Sequence, residues 1–286
     1  MKTRFFTFLF VVSGFVLFVV PVYGANIFTE TFNSLIAGTP ISTVNTSFDY
    51  VRIGSGGGSI TAEQAASGEM HMRLGGASGS SLNGVGIQNS FGGSNVVTLN
   101  FRIRLEDTLG TVFVGMGSGN TFTTNSTFAT ADLMWGIQSN AGSLQYRTTT
   151  WNNLGQNLSP GSNYEFHIVA NRSGTTINYG SYSVANGTMD LFINGTLVGN
   201  DIAITNNQNV SGFRIYQVNG SSYARIDSIT IDNTALEPYA PTAVSLQSFT
   251  SVNSQNTPLI LLGMILVILL GGTAVLYRRQ YRFSSH

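Results

Sequence analysis

The sequence predicts an all-β body built as two packed antiparallel sheets, and three observations carry that prediction. Short runs between residues 25 and 237 alternate apolar with polar side chains, the period-two mark of half-buried strands. Gly, Asn and Ser break the runs, with Asn-Gly pairs at 186–187, 194–195 and 219–220. Asn-Gly suits the type I′ turn, whose two central residues both need positive φ. No amphipathic helical pattern of useful length interrupts the series. So many short strands in roughly 210 residues exceed the comfortable width of one sheet, and packing two sheets face to face is the natural solution. No internal repeat at the period of a propeller blade is present, which favours a sandwich.

The elements follow in order. Lys2 and Arg4 precede the apolar run Phe5–Val20, Pro21 breaks it, and Val22 and Gly24 place small residues before Ala25. That is the layout of a secretory signal, cleaved after Gly24; the run of 16 is short of the roughly 20 residues a membrane span needs. In the body, VVTLNFRIRL puts Val97, Leu99, Phe101, Ile103 and Leu105 on one face. YEFHIVA does the same with Tyr164, Phe166, Ile168 and Ala170, MDLFI with Met189, Leu191 and Ile193, and FRIY with Phe213 and Ile215. In Tyr223–Asp232, Ile226 has one parity and Ile229 and Ile231 the other, so a bulge near Asp227-Ser228 is needed to give a single apolar face. Residues 238–257 hold Pro238, Pro241 and many Ser, Thr, Asn and Gln, and read as a flexible stalk. Residues 258–277, PLILLGMILVILLGGTAVLY, are uncharged and long enough to span hydrocarbon. Arg278, Arg279 and Arg282 in the tail 278–286 orient that span with the tail in the cytoplasm and the body outside.

Charge and composition exclude several classes. All 13 acids lie in residues 25–257 against eight arginines, a net charge of −5 for the middle of the chain. A mildly acidic body does not bind nucleic acid electrostatically. The absence of cysteine excludes a disulfide scaffold, a thiolate metal site and a cysteine nucleophile.

The order of Phe28-Thr-Glu-Thr-Phe-Asn-Ser34, the hairpin Leu144–Leu154, Tyr164–Asn171, Met189–Val198 and Ala224–Ile231 resembles the concanavalin A-like jelly roll in its laminin-G-like bacterial form. Pro241–Thr250 resembles the short segment before the C-terminal anchor of some bacterial surface proteins, without a Pro-Glu-Pro or Leu-Pro-x-Thr-Gly sorting signal. The resemblance implies a jelly-roll sandwich over residues 25–237 that binds a glycan or a cell-surface protein. Some relatives are glycosidases, with Glu-x-Asp-x-x-Glu on one strand. Here none of Glu30, Glu63, Glu69, Glu106, Glu165 and Glu237 has an Asp two residues on, and the adjacent Glu106 and Asp107 face opposite ways on a strand. The expectation is therefore a non-catalytic binding and adhesion module with no catalytic residues, its rivals being a glycosidase or lyase on the same fold, from carboxylates meeting across strands, and a structural envelope protein.

Aromatics flanking turns are the ligand candidates: Tyr146, Trp151, Tyr179 and Tyr182, because ring faces stack on sugar C–H surfaces. Tyr146 and Trp151 equally suit cross-strand packing in their hairpin. No cofactor is expected. Calcium is common in the family the chain resembles; Asp190, Asp201, Asp227 and Asp232 are available to it, though no Asp-x-Asp cluster occurs. Asp227 most resembles that family's last-strand aspartate and also suits a hydrogen bond fixing the bulge. His167 has the parity opposite to its strand's apolar face, which predicts a surface or inter-strand histidine. The Asn-x-Ser/Thr triplets at Asn45, Asn125, Asn157, Asn171, Asn186, Asn194, Asn209 and Asn219 read as composition.

Overall fold

The computed structural model describes residues 26–76, 82–88, 90–122, 127–218 and 223–238. The expected signal 1–24, the span 258–277, the tail 278–286 and all of the stalk but Pro238 lie outside the described residues, as does the Asn219-Gly220 turn. Among the described residues no helix is long and apolar enough to cross a membrane.

The body is two antiparallel sheets in face-to-face contact, as the alternating runs require. In chain order the strands are β1 (Asn26–Glu30), β2 (Tyr50–Arg52), β3 (Ile60–Gln64), β4 (Met70–Gly75), β5 (Leu82–Ile87), β6 (Val96–Leu105) and β7 (Thr111–Gly117). Two single-turn 3-10 helices, at Asn120–Phe122 and Thr130–Asp132, precede β8 (Leu133–Asn140), β9 (Ser143–Arg147), β10 (Trp151–Asn157) and β11 (Asn163–Asn171). Next come β12 (Ile177–Tyr179), β13 (Tyr182–Val184), β14 (Thr188–Ile193), β15 (Thr196–Ala203), β16 (Gly212–Val218) and β17 (Tyr223–Asp232). The first sheet runs β15-β14-β11-β6-β17-β4-β3, with β1 also on β17; the second runs β10-β9-β8-β7-β16-β5-β2; β12 and β13 form a separate small ribbon.

The predicted apolar faces meet between the sheets. Val97, Leu99, Phe101, Ile103 and Leu105 are buried in one core with Phe166, Ile168, Ala170, Met189, Leu191, Ile193, Phe213 and Ile215. Cross-strand register sets Phe101 opposite Phe166, and the rings stack with centroids 4.9 Å apart. The bulge forms where parity demands it. The β17–β6 register shifts between Asp227 and Thr230, Ser228 takes φ 52°, and Ile226, Ile229 and Ile231 are all fully buried. The bulge also divides the opposite edge of β17: Tyr223–Ile226 pair with β4, and Ile229–Asp232 with β1.

The turns need one correction. Asn194-Gly195 has φ of 50° and 74° and closes the β14–β15 hairpin in the type I′ manner. At Asn186-Gly187 only the glycine has positive φ, and the flanking β13 and β14 are not hairpin partners, because β13 pairs with β12. This pair is a corner between two layers.

Two covers lie on the outer faces. The β12–β13 ribbon packs over β11 and β14, where Val169, Tyr179, Val184 and Phe192 form a second apolar cluster with Ala235. Residues 127–133, with the helix Asn120–Phe122, cover part of the other sheet through Phe122, Phe128 and Leu133 against Leu82, Tyr216 and Phe113. Gly115 makes room for this cover, since a Cβ there would sit 2.7 Å from Phe128 Cζ. His167 is buried rather than at the surface, because the strap of residues 233–238 that follows β17 closes over the face its parity selects. Its Nε2 donates to Leu236 O (2.9 Å) and Nδ1 meets the Asn100 side-chain amide (2.5 Å). Burial holds its pKa down at about 4.

Candidate functional site

The part of the first sheet that the ribbon does not cover carries a cluster of charged side chains. On β6, Arg102 and Arg104 share the parity opposite to Phe101 and Ile103, so burying the apolar face forces both arginines outward. Register then sets Arg104 beside Arg225 and Arg102 beside Asp227 on β17, Arg225 beside Arg73 on β4, and His71 beside Glu63 on β3.

Like charges side by side on a sheet repel, so the arrangement depends on carboxylates between them. Glu106 accepts from Arg225 Nη1 and pairs with Arg104 Nε at 2.9 Å, joining the two arginines. Glu63 takes Arg225 in a two-pronged contact, Nε–Oε2 3.0 Å and Nη2–Oε1 3.1 Å, and also meets His71 Nε2 at 3.2 Å. Arg102 pairs with Asp227 at 2.7 Å and lies 3.8 Å from Glu69. The Tyr223 ring lies under Arg73 and Arg225, whose guanidinium carbons are 4.0 and 5.3 Å from its centroid. The Arg225 hydrogen bond holds the Glu63 carboxyl below the usual range and, reciprocally, keeps Arg225 charged. Burial pushes Asp227 up, opposed by Arg102.

Part of this cluster (Glu69, His71, Arg102, Arg104, Arg225 and Asp227) borders an open hollow of about 410 Å³, in the range of roughly 300–1,000 Å³ usual for small-ligand clefts. Asn163 and Ser67 line it as well, and Glu63 and Glu106 hold Arg225 from outside the lining. Of the shifted carboxylates here, Asp227 in the hollow is raised and Glu63 behind it is lowered. Glu63 and Glu106 do meet across strands on one guanidinium, but a general acid needs a carboxyl raised toward neutral pH, and Glu63 is displaced the other way.

The four aromatics named from sequence do not converge. Tyr146 is half-buried on β9 opposite Ile137, packed against the main core. Trp151 starts β10 on the outer face of the second sheet, half-buried, with its ring edge-on to Phe113 (centroids 5.7 Å) and Arg147 Cζ 5.1 Å above it. Tyr179 is 4% exposed and gives its hydroxyl to the buried Asp190, and Tyr182 stacks on it and meets Phe192 edge-on. These two rings fasten the ribbon to the sheet and turn no open face to solvent beside Trp151.

Of the calcium candidates, Asp190 accepts from Tyr179 and from the Asp201 amide (2.8 Å), Asp201 accepts from the Ala185 amide (2.8 Å), and Asp227 caps the Ser228 amide at the bulge (2.7 Å). Asp232 is buried apart from them at the end of β17. Among the described residues no three His, Asp or Glu side chains are placed to hold a metal ion. The charged cluster was not recognised from sequence, although Arg-x-Arg in FRIRLE and Arg-x-Asp in ARID carry the outward parity that builds it.

No family model matches the chain, and no curated protein matches it. Among solved structures it is similar to cellulose induced protein Cip1, at 17% identity over 72% of this chain and 97% of that one, TM-score 0.47. It is similar to a carbohydrate esterase of Shiga toxin-encoding bacteriophage phi24B at 12% identity over 74% and 100%, TM-score 0.46. The carbohydrate recognition domain of Emp46p in its metal-free form is 8% identical over 58% and 83%, TM-score 0.41. None of these likenesses, all below a TM-score of 0.5, bears on which ligand this chain takes.

Proposed function

We propose that the chain is a non-catalytic glycan-recognition module, exported by its N-terminal signal, displayed on the 238–257 stalk and anchored by the 258–277 span at the cell surface, where it serves adhesion. The observation that carries this reading is the hollow on the first sheet. It is open, and charged donors and acceptors stand side by side on its walls, Arg102 with Asp227 and Glu69, and Arg104 next to them. Such a surface favours binding over chemistry.

A glycan array probed with the full-length protein, with and without calcium, tests the reading, and bound glycans are its expected result. In parallel, the protein should release no reducing ends from a broad polysaccharide panel. One observation favours a second reading: Glu63 and Glu106 meet on Arg225. Turnover that disappears in Glu106→Gln or Glu165→Gln would replace the binding module with a glycosidase.

A further inference from the structure

Resting on the glycan reading, we infer that the hollow bordered by Glu69, Arg102, Arg104 and His71 is the saccharide site and selects uncharged sugars. The inference comes from an inventory of bonding capacity. Arg225 is used up: Glu63 and Glu106 take its nitrogens. The side chains at the rim are not. Arg104 stands 2.9 Å from Glu106 through Nε, close enough to pair charges but not aligned as a hydrogen bond, and its two terminal nitrogens meet no acceptor among the described residues, while its side chain is 38% exposed. The nearest cation to the Glu69 carboxylate is Arg102 Nη1 at 3.8 Å, beyond hydrogen-bond reach, and Glu69 is 58% exposed. His71 lines the hollow, is 7% exposed and uses Nε2 on Glu63, and its Nδ1 meets no partner among the described residues. Asn163, with both a donor and an acceptor in its amide, completes the rim.

That inventory holds donors and acceptors side by side. An anion would satisfy only the donors and would lie against Glu69 and Asp227. A cation would satisfy only the acceptors and would lie against Arg102 and Arg104. A hydroxyl both donates and accepts, so neighbouring hydroxyls on one sugar ring can donate a hydrogen bond to Glu69 and accept one from Arg104 together. The charges around the hollow support the same class. Glu69 and Asp227 face Arg102 and Arg104 on its walls, Glu63 and Glu106 hold Arg225 beside Arg73, and Glu165 on β11 lies beside Arg102, so the charges alternate in sign and no strong one-sided field draws a charged ligand.

The experiment uses full-length protein in a detergent without a sugar head group, on an array of neutral, sialylated and sulfated glycans. Calorimetry then follows with the best-bound neutral oligosaccharide. Neutral glycans should bind. Arg104→Gln and Glu69→Gln, which keep shape and remove charge, should each weaken binding about tenfold or more, and Thr149→Ala, on an exposed loop, should not. Glu69 is exposed enough for its variant to fold even where Arg104→Gln does not. A preference for sialylated or sulfated glycans overturns the ligand class and leaves the glycan reading standing. Neutral binding that survives both substitutions and is lost in Trp151→Ala moves the site to the other sheet and overturns the assignment. Binding to no glycan in any arm sinks the underlying reading itself.

Discussion

His167 shows how one residue's chemistry depends on cover that its own sequence neighbourhood does not reveal. It sits 4% exposed beneath the strap, with pKa pushed from 6.5 to about 4 by burial. The groups facing it are Asn100 on β6, Phe192 on β14 and the Leu236 carbonyl; none of them carries a charge. Above pH 6.5 the imidazole is neutral folded and unfolded, and it adds no pH dependence. As pH falls from 6.5 toward 4, the unfolded chain takes a proton that the folded one refuses. Stability is therefore lost across that window, by about 2 kcal/mol at pH 5. Thermal melts of the wild type and His167→Gln at pH 7.5 and 5 check this. The wild type should lose several degrees more than the variant on acidification, and parallel losses would show that His167 is accessible to solvent. The parity rule identified correctly which face of β11 His167 occupies. It failed on burial because the cover comes from residues about 70 positions away, whose packing leaves no mark in the local alternation.

At the scale of elements, legibility followed the source of each constraint. Strand faces, the β17 bulge and the β14–β15 turn are set by nearest-neighbour chemistry and were readable. The β12–β13 ribbon and the cover formed by Asn120–Phe122 and residues 127–133 bury both parities of the strands beneath them, and alternation cannot report that. The charged hollow lay between these cases: its arginines have legible outward parity, but the pairing of β6, β17, β4 and β3 that joins them spans the whole body. The β14–β15 turn gives a sharp test. Gly195 has φ 74°, so Gly195→Val forces a β-branched side chain into the left-handed region at about 1–3 kcal/mol. Asn194 is further tied to β11, its amide donating to Glu165 O and its Oδ1 accepting from Glu165 N, both at 2.8 Å, so the turn has little freedom to relax. Thr196→Val, exposed on β15, should be neutral or slightly stabilising. An unchanged melting temperature in Gly195→Val with a lower one in Thr196→Val would contradict the register.

For the whole molecule, what matters is which way round the chain lies. The body is scarce in charge, and six of its ion pairs gather on one sheet face, around the hollow assigned to the ligand. Such a face serves recognition only where ligands are, so function and topology stand together. Two independent features of sequence orient the chain alike. In the proposed topology the signal would send residues 25 onward out, and Arg278, Arg279 and Arg282 would hold the tail in. The β-rich body, with its backbone paired in two sheets, should resist protease, whereas the 238–257 segment offers Pro, Ser, Thr, Asn and Gln with few large apolar residues to fold around. Protease added to intact cells should therefore cut first in this stalk, release the body as one piece, and leave a small fragment holding residues 258–286 protected by the membrane. Immunoblotting with a tag at each end of the mature chain separates the outcomes. Full-length protein that survives on intact cells and is cut only after lysis would place the body inside, and the recognition role would fall with it.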